Sequence, residues 1–481
     1  MKVLAATTLA ALLLALPGAG TAQAVVPSQA AVSLYQFPRV PPTGGAGPLA
    51  IDQRGNVWFD QTYEVPPERP GEDPRFPGQI VRMDRQGKIA VVLQKRPSGL
   101  AVSGDGSIWF TGFDYIGRIA PDDSFTSFPL PYGEGEDGKV VFKDGPLVVA
   151  PDGNVWFSGA RGYRDESGRA VGSQPIIGRM TPTGELTEFD LALDSGRPIH
   201  LAIGPDGAVW FTDGLTPRVG RVDPLLGVRY LPLPPSMQAR GITAGPDGAL
   251  WFQLSRDEDR AIGRISVTGE VTEFPVPAAV RREEYGGING IGSITNGPDG
   301  RLWFVLEAGA MGRIGPTGRV SKVEIPTRFP EDIAVGPEGS VWYTSAAGPP
   351  CLPGDSVCGD GGYYQSGVIG RIDPAPLAVQ IETAKAAARA HRVKIRIACI
   401  DGRAGESCRG RLRLRAGQGA TKRRYALGVD LGRSFSIRLG DKARSKLLRR
   451  GKLRIKVIAT LAGGGTEVRA FRLRLRTHQA A

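Results

Sequence analysis

The sequence predicts an all-β chain, a seven-bladed β-propeller followed by a small Ig-like β-sandwich. Three observations predict it. The first is a two-part phrase, read in Gly204-Pro205-Asp206-Gly207-Ala208-Val209-Trp210-Phe211-Thr212 and then Val219-Gly220-Arg221-Val222. It recurs as Trp58/Arg82, Trp109/Arg118, Trp156/Arg179, Trp210/Arg221, Trp251/Arg264, Trp303/Arg313 and Trp342/Arg371, which uses all 7 Trp of the chain. Self-similarity at roughly 40–50 residues per unit marks a propeller or another stacked array. The second observation is composition: 67 Gly and 39 Pro in 481 residues suit many short strands joined by tight turns. The third is a period-two alternation of basic and apolar residues in the last hundred residues.

Taken in order, residues 1–24 read as a secretory signal peptide. Lys2 is the charged start, residues 9–16 are an apolar core too short to span a bilayer, and Ala22-Gln23-Ala24 is a small-residue cleavage site. No later stretch is apolar enough for a transmembrane segment, so the mature protein is expected to be secreted, extracellular or cell-wall associated.

Residues 31–376 carry the propeller. Each unit reads as four strands: an apolar one such as Leu201-Ala202-Ile203, then a Gly-Pro-Asp-Gly turn, the Val-Trp-Phe-Thr strand, the Ile-Gly-Arg-Ile strand, and after a second turn a strand such as Leu186-Thr187-Glu188-Phe189. Pro presets φ in the first turn, Asp bonds its own backbone, and the last Gly takes φ > 0. The Trp recur in register, as residues packed between sheets should. The seventh unit lacks a good fourth strand, whereas Ser33-Leu34-Tyr35-Gln36-Phe37-Pro38 resembles one. The N-terminal strand is therefore expected to complete the last blade and close the ring, which removes a free sheet edge. Trp-to-Arg gaps are long in units 1, 3 and 7. Insertions at 64–78, 161–174 and 346–367, with connections at 131–145 and 281–290, should therefore crowd one loop face, where an unknown small-molecule or peptide ligand would bind.

Residues 377–477 form the second module. From residue 377 onward there are 27 Lys and Arg against 6 Asp and Glu, which leaves 33 against 42 for residues 1–376. An overall charge of +12 thus combines an acidic ring with a very basic tail. Arg392-Val393-Lys394-Ile395-Arg396-Ile397 and three similar runs predict strands with one buried and one basic face, and 441–450 reads as a short helical turn. About seven strands in a hundred residues suggest an Ig-like sandwich. Its basic face suits a polyanionic surface polymer as partner of residues 377–481, or else packs on the acidic ring. Among the four cysteines of an exported chain, two local pairings are expected, Cys351 with Cys358 and Cys399 with Cys408.

The repeat phrase resembles the streptogramin lyase (virginiamycin B lyase) family. The residues that carry the resemblance are Ile242-Thr243-Ala244-Gly245-Pro246-Asp247-Gly248-Ala249-Leu250-Trp251-Phe252, Ile262-Gly263-Arg264-Ile265, and Thr268-Gly269-Glu270-Val271-Thr272-Glu273-Phe274. It extends over residues 33–373 and implies the seven-bladed fold. It also implies a Mg²⁺-assisted elimination that opens the ester C–O bond of a cyclic depsipeptide, with a base taking a proton beside a carbonyl. The family carries His in a Pro-His-(Ala/Gly)-Ile phrase, eleven residues before a blade Trp. That slot holds Ile199 in unit 4, one residue before His200, and Glu331 in unit 7. Alternation along a strand would turn His200 to the opposite face. Glu307 stands four residues after Trp303, where the family has Glu after a Trp of another blade. Candidate catalytic residues are therefore Glu331, Glu307 and His200, and candidate Mg²⁺ ligands are Glu331 and Asp332. Two readings stay open: a diverged ligand-binding or scaffold propeller without the family's catalytic His, and a Mg²⁺-dependent C–O lyase.

Overall fold

The computed structural model describes residues 4–5, 31–36, 46–62, 78–112, 114–130, 139–142, 145–164, 170–196, 198–235, 237–256, 259–277, 292–306, 309–315, 318–347, 368–373, 378–386, 392–400, 407–416, 419–428, 432–439, 441–450, 452–462 and 466–474. Blade 4 shows the plan. Strands Pro198–Ile203, Val209–Asp213, Arg218–Asp223 and Gly227–Pro232 run antiparallel in that order from the central channel outward. In all seven blades the Trp of the second strand lies directly opposite the Arg of the third, as Trp210 lies opposite Arg221.

The turn Asp does more than bond its own backbone. In blade 4 Asp206 accepts the Trp210 indole N–H at 3.0 Å on one oxygen and Arg221 Nε at 2.7 Å on the other. Asp247 does the same for Trp251 and Arg264 in blade 5. The repeated Asp, Trp and Arg are therefore one hydrogen-bonded unit that satisfies a buried indole and holds the guanidinium beside it. Gly207 takes φ 78° in the turn. The Gly of the third strand has a different cause: a Cβ on Gly220 would sit 1.9 Å from the Phe211 ring, so the aromatic lies flat across it. Blade 1 breaks this rule with Val81 opposite Phe59, and there the outer strand pairing slips between Ile80 and Val81.

Ring closure is visible in the cores between blades. Each holds the Trp of one blade and the aromatic after the Trp of the next: Trp58 with Phe110, Trp109 with Phe157, Trp156 with Phe211, Trp210 with Phe252, Trp251 with Phe304, and Trp303 with Tyr343. The seventh joins Trp342 to Phe59 and returns to the start. The last blade contains Arg328–Val335, Val341–Ala347 and Val368–Asp373, and Ala31–Gln36 supplies its outer strand. A two-residue strand, Leu4–Ala5, adds to the outside of that one.

Two regions expected as loops are instead sheet. Strands Val155–Arg164 and Ala170–Met180 continue their ladder through Arg161↔Gln174 and Tyr163↔Gly172, and Lys139–Phe142 pairs with the extension. Blade 3 thus projects a hairpin, because paired strands satisfy backbone groups that a loop would leave to water. Nearly all of the insertions at 64–78 and 346–367 (residues 64–77 and 348–367), the 281–290 connection, Cys351, Cys358, Glu307 and most of the leader lie outside the described residues.

The second module has seven strands in two sheets. One is ordered Ala378–Ala386, Arg392–Ile400, Gly432–Arg438, and the other Gly419–Gly428, Ser407–Ala416, Lys452–Leu461, Thr466–Arg474. Alternate residues such as Ile395, Ile397, Leu412, Leu414, Ile455 and Val457 meet between them. Residues 441–450 form a full α-helix, with Ala443 and Leu447 buried. The Cys399–Cys408 disulfide joins a strand of one sheet to a strand of the other, across a sequence separation of 9. Replacing both cysteines with Ala should cost about 2–3 kcal/mol, the loop-closure entropy of so short a ring. Denaturant unfolding with and without reductant checks this; an unchanged midpoint would remove the disulfide from the stability account.

Candidate functional site

The channel mouth on the blade-connection side is built from a repeated irregularity. In blade 7, Pro330 pairs with Ser345 and Ile333 with Tyr343, so Glu331 and Asp332 stand together opposite Thr344. Blade 1 repeats the bulge: Ala46 pairs with Gln61 and Leu49 with Phe59, which leaves Gly47 and Pro48 opposite Asp60. Bulges re-aim side chains and often border functional sites.

In three blades the residue two after the Trp is a small hydroxyl that reaches the next blade, whereas Thr212 of blade 4 holds the same seat with its Oγ1 buried and unpartnered. Thr111 Oγ1 donates to the Gly145 carbonyl at 3.0 Å, Ser158 Oγ to that of Pro198 at 3.1 Å, and Thr344 Oγ1 to that of Gly47 at 3.3 Å. Asp60 occupies the same seat in blade 1. It is 4% exposed, and its Oδ1 is buried without a hydrogen-bond partner. A carboxylate cannot donate as the hydroxyls do; only the acid can. Burial pushes the Asp60 carboxyl up to about 7, with Glu331 adding to the rise and Arg96 opposing it. Glu331, half-buried, is pushed up to about 7 by burial and by the neighbouring Asp332 charge.

Asp332 serves a different purpose. Its Oδ1 accepts Ser293 Oγ at 2.6 Å and the Ile333 N–H at 2.8 Å, and its Oδ2 accepts the Leu49 N–H at 2.9 Å. Ser293 precedes the inner strand of blade 6 and Leu49 lies in that of blade 1, so one side chain ties blades 6, 7 and 1. Burial raises its carboxyl above the usual range, and these hydrogen bonds oppose the rise. Both Asp332 oxygens are thus engaged within the protein. Among the described residues no three His, Cys, Asp or Glu side chains converge where a metal ion could sit. These residues do not fit the Mg²⁺ site that the resemblance implies.

His200 lies elsewhere in the ring. Pro198 pairs with Asp213 and His200 with Thr212, so Ile199 is an extra residue in a bulge. The alternation that would turn His200 away is broken at that point, because a bulge interrupts the period of two. Burial lowers the imidazole to about 4, helped by Arg240 in blade 5, and its Nδ1 is buried without a partner. His200 is therefore neutral at pH 7, and its charged neighbour is Arg240 rather than the carboxylates of blades 7 and 1. Asp60 was absent from the sequence-derived candidates. The available signal was the position two after each Trp, where Thr, Ser, Gln and Val stand in the other blades and Asp stands in blade 1.

The opposite, turn-side face holds a cavity of about 170 Å³ between blades 1 and 2. Its carboxylates are already used: Asp52 by the Trp58 indole and Asn56, Asp105 by Arg118, Asp123 by Arg82.

The sequence profile of the virginiamycin B lyase family matches residues 147–349. The ring is similar to the virginiamycin B lyase family in sequence over those residues. A virginiamycin B lyase of Nocardia farcinica is 26% identical over 220 residues, 40% of this chain and 71% of that protein. A streptogramin B lyase structure superposes with a TM-score of 0.51 at 24% identity, covering 72% of this chain and 97% of that one. A catalytically inactive His-to-Ala variant of virginiamycin B lyase from Staphylococcus aureus, solved with quinupristin, gives 0.50 at 23% identity, covering 71% and 99%. At these identities the two structures speak for the fold of the virginiamycin B lyase-like ring and for nothing finer.

Proposed function

We propose that the protein is a secreted, ligand-binding propeller of lyase ancestry, without the histidine-dependent chemistry of that family. Its site is the channel mouth where the last blade meets the first. The observation that carries this reading is Asp60: a buried carboxyl whose Oδ1 finds no partner among the described residues, next to a second carboxyl, Glu331, that burial also holds near neutrality. An unsatisfied buried acceptor costs free energy until something supplies a hydrogen. A ligand bearing an ammonium or amide N–H supplies it, and a cationic one favours the ionised form of Asp60.

The C–O lyase remains the second reading because of Glu331. A carboxylate near neutrality is well placed in pKa to act as a base beside a carbonyl, while Ile199 occupies the histidine slot of blade 4. Incubation of the purified protein and Mg²⁺ with a streptogramin B-type depsipeptide separates the two. Elimination leaves the mass unchanged, whereas hydrolysis adds a water. The expected result is recovery of the intact ring. A ring-opened product of unchanged mass, lost in Glu331→Ala, would replace the binding reading with the lyase one.

A further inference from the structure

The outer face of the four-stranded sandwich sheet carries like charges directly across from one another. Arg411 stands opposite Arg424, Arg415 opposite Lys456, and Arg454 opposite Arg472, and all six side chains are exposed. Like charges in facing positions on neighbouring strands destabilise a sheet. A solvated surface with no partner has no need of this arrangement. The strand order makes the three pairs a diagonal band from one edge strand to the other. With strands about 4.8 Å apart and alternate residues about 6.8 Å apart along each, the band is roughly 20–25 Å long and two cations wide.

We propose that this band is the binding site for a linear phosphodiester polymer without bases, lying diagonally across the sheet. Five of the six cations are Arg, whose planar fork matches the two non-bridging oxygens of a phosphodiester. Other polyanions fit less well. Proteins that read duplex DNA insert a helix or a two-stranded ribbon into the major groove, and this sheet is four strands wide. Single-stranded nucleic acid is gripped through exposed aromatic platforms, whereas Tyr425 and Phe435 are 5% and 6% exposed. The inference is independent of what the channel mouth binds.

The test uses the full chain with long-chain inorganic polyphosphate as probe. Binding should weaken linearly in log–log with salt, with a slope of about −3 to −4, because each phosphate neutralised on a single strand contributes about −0.7. The triple variant Arg411→Gln/Arg415→Gln/Arg454→Gln should bind at least ~10-fold more weakly, with a shallower slope. Its melting temperature should hold or rise, because each substitution relieves one like-charge pair. On the other sheet, Arg392→Gln/Lys394→Gln should leave binding within about twofold, since those positions lie outside the band. Four results would overturn the proposal: unchanged binding in the triple variant, equal loss in the control, equal affinity for polyglutamate, or tighter binding to duplex DNA or anionic vesicles.

Discussion

Removal of residues 31–36 is expected to lower the melting temperature of the propeller by roughly 10 °C and leave the sandwich transition in place. The segment pairs along its full length with Val368–Asp373, from Ala31↔Asp373 to Gln36↔Val368. Its Val32 and Leu34 pack into the core between blades 6 and 7. Tyr35 stacks on Trp342 with ring centroids 5.5 Å apart and joins the core between blades 7 and 1. Three half-buried apolar side chains at about 1–2 kcal/mol each, plus an uncovered sheet edge, come to about 5 kcal/mol. At roughly 2 °C per kcal/mol for a domain of this size, that is the stated shift. Calorimetry of the truncated chain measures it, and a peptide of residues 31–40 added in trans should restore part of the loss. An unchanged propeller transition would mean that three strands suffice and the ring is closed by packing alone.

The second large effect is a stability that falls as pH rises. Asp60 goes from 3.8 to about 7 on folding, chiefly through burial. Between those values the folded chain keeps a proton that the unfolded chain has lost. The contribution of Asp60 is therefore most favourable below pH 4, declines as pH climbs towards 7, and is flat above that, while carboxylates held below their usual range, such as Asp105 and Asp206, act in the opposite sense at the acid end. About three pH units correspond to an effect on the order of 4 kcal/mol. Two charged groups face Asp60: Glu331 steepens the decline and Arg96 moderates it. Asp60→Asn keeps the shape and removes the titration. Its unfolding midpoint should match the parent near pH 4 and exceed it at pH 8. Equal destabilisation at both pH values would show that Asp60 is ionised and satisfied in the folded protein.

The ring was legible in sequence because its structural unit and its repeat unit coincide. The shared spacing of Trp210 and Arg221, and of their counterparts in every copy, sets two strands in register, and each pair faces as expected. The missing outer strand was legible for the same reason, since seven copies of one phrase expose a gap. The site was less so, because its geometry depends on bulges. Reading His200 by strict alternation fails at Ile199, which no rule of spacing marks as an extra residue. Asp332 looked like a metal ligand because carboxylates are; that it is consumed by Ser293 and Leu49 depends on contacts separated by 39 and 283 residues. The hairpin of blade 3 was hidden because Gly162 and Gly172 read as loop residues, whereas cross-strand pairing made them strand.

One arrangement in the ring has a mechanical corollary. The strand Ala31–Gln36, the first blade and the last blade meet at a single seam, and the Asp60, Glu331 and Asp332 carboxyls sit across it. A molecule lodged among them would grip both ends of the circle at once. It would act as a clasp on the joint where the circle closes, so that occupancy at the channel mouth and the resistance of the whole ring to springing open would be two readings of one event.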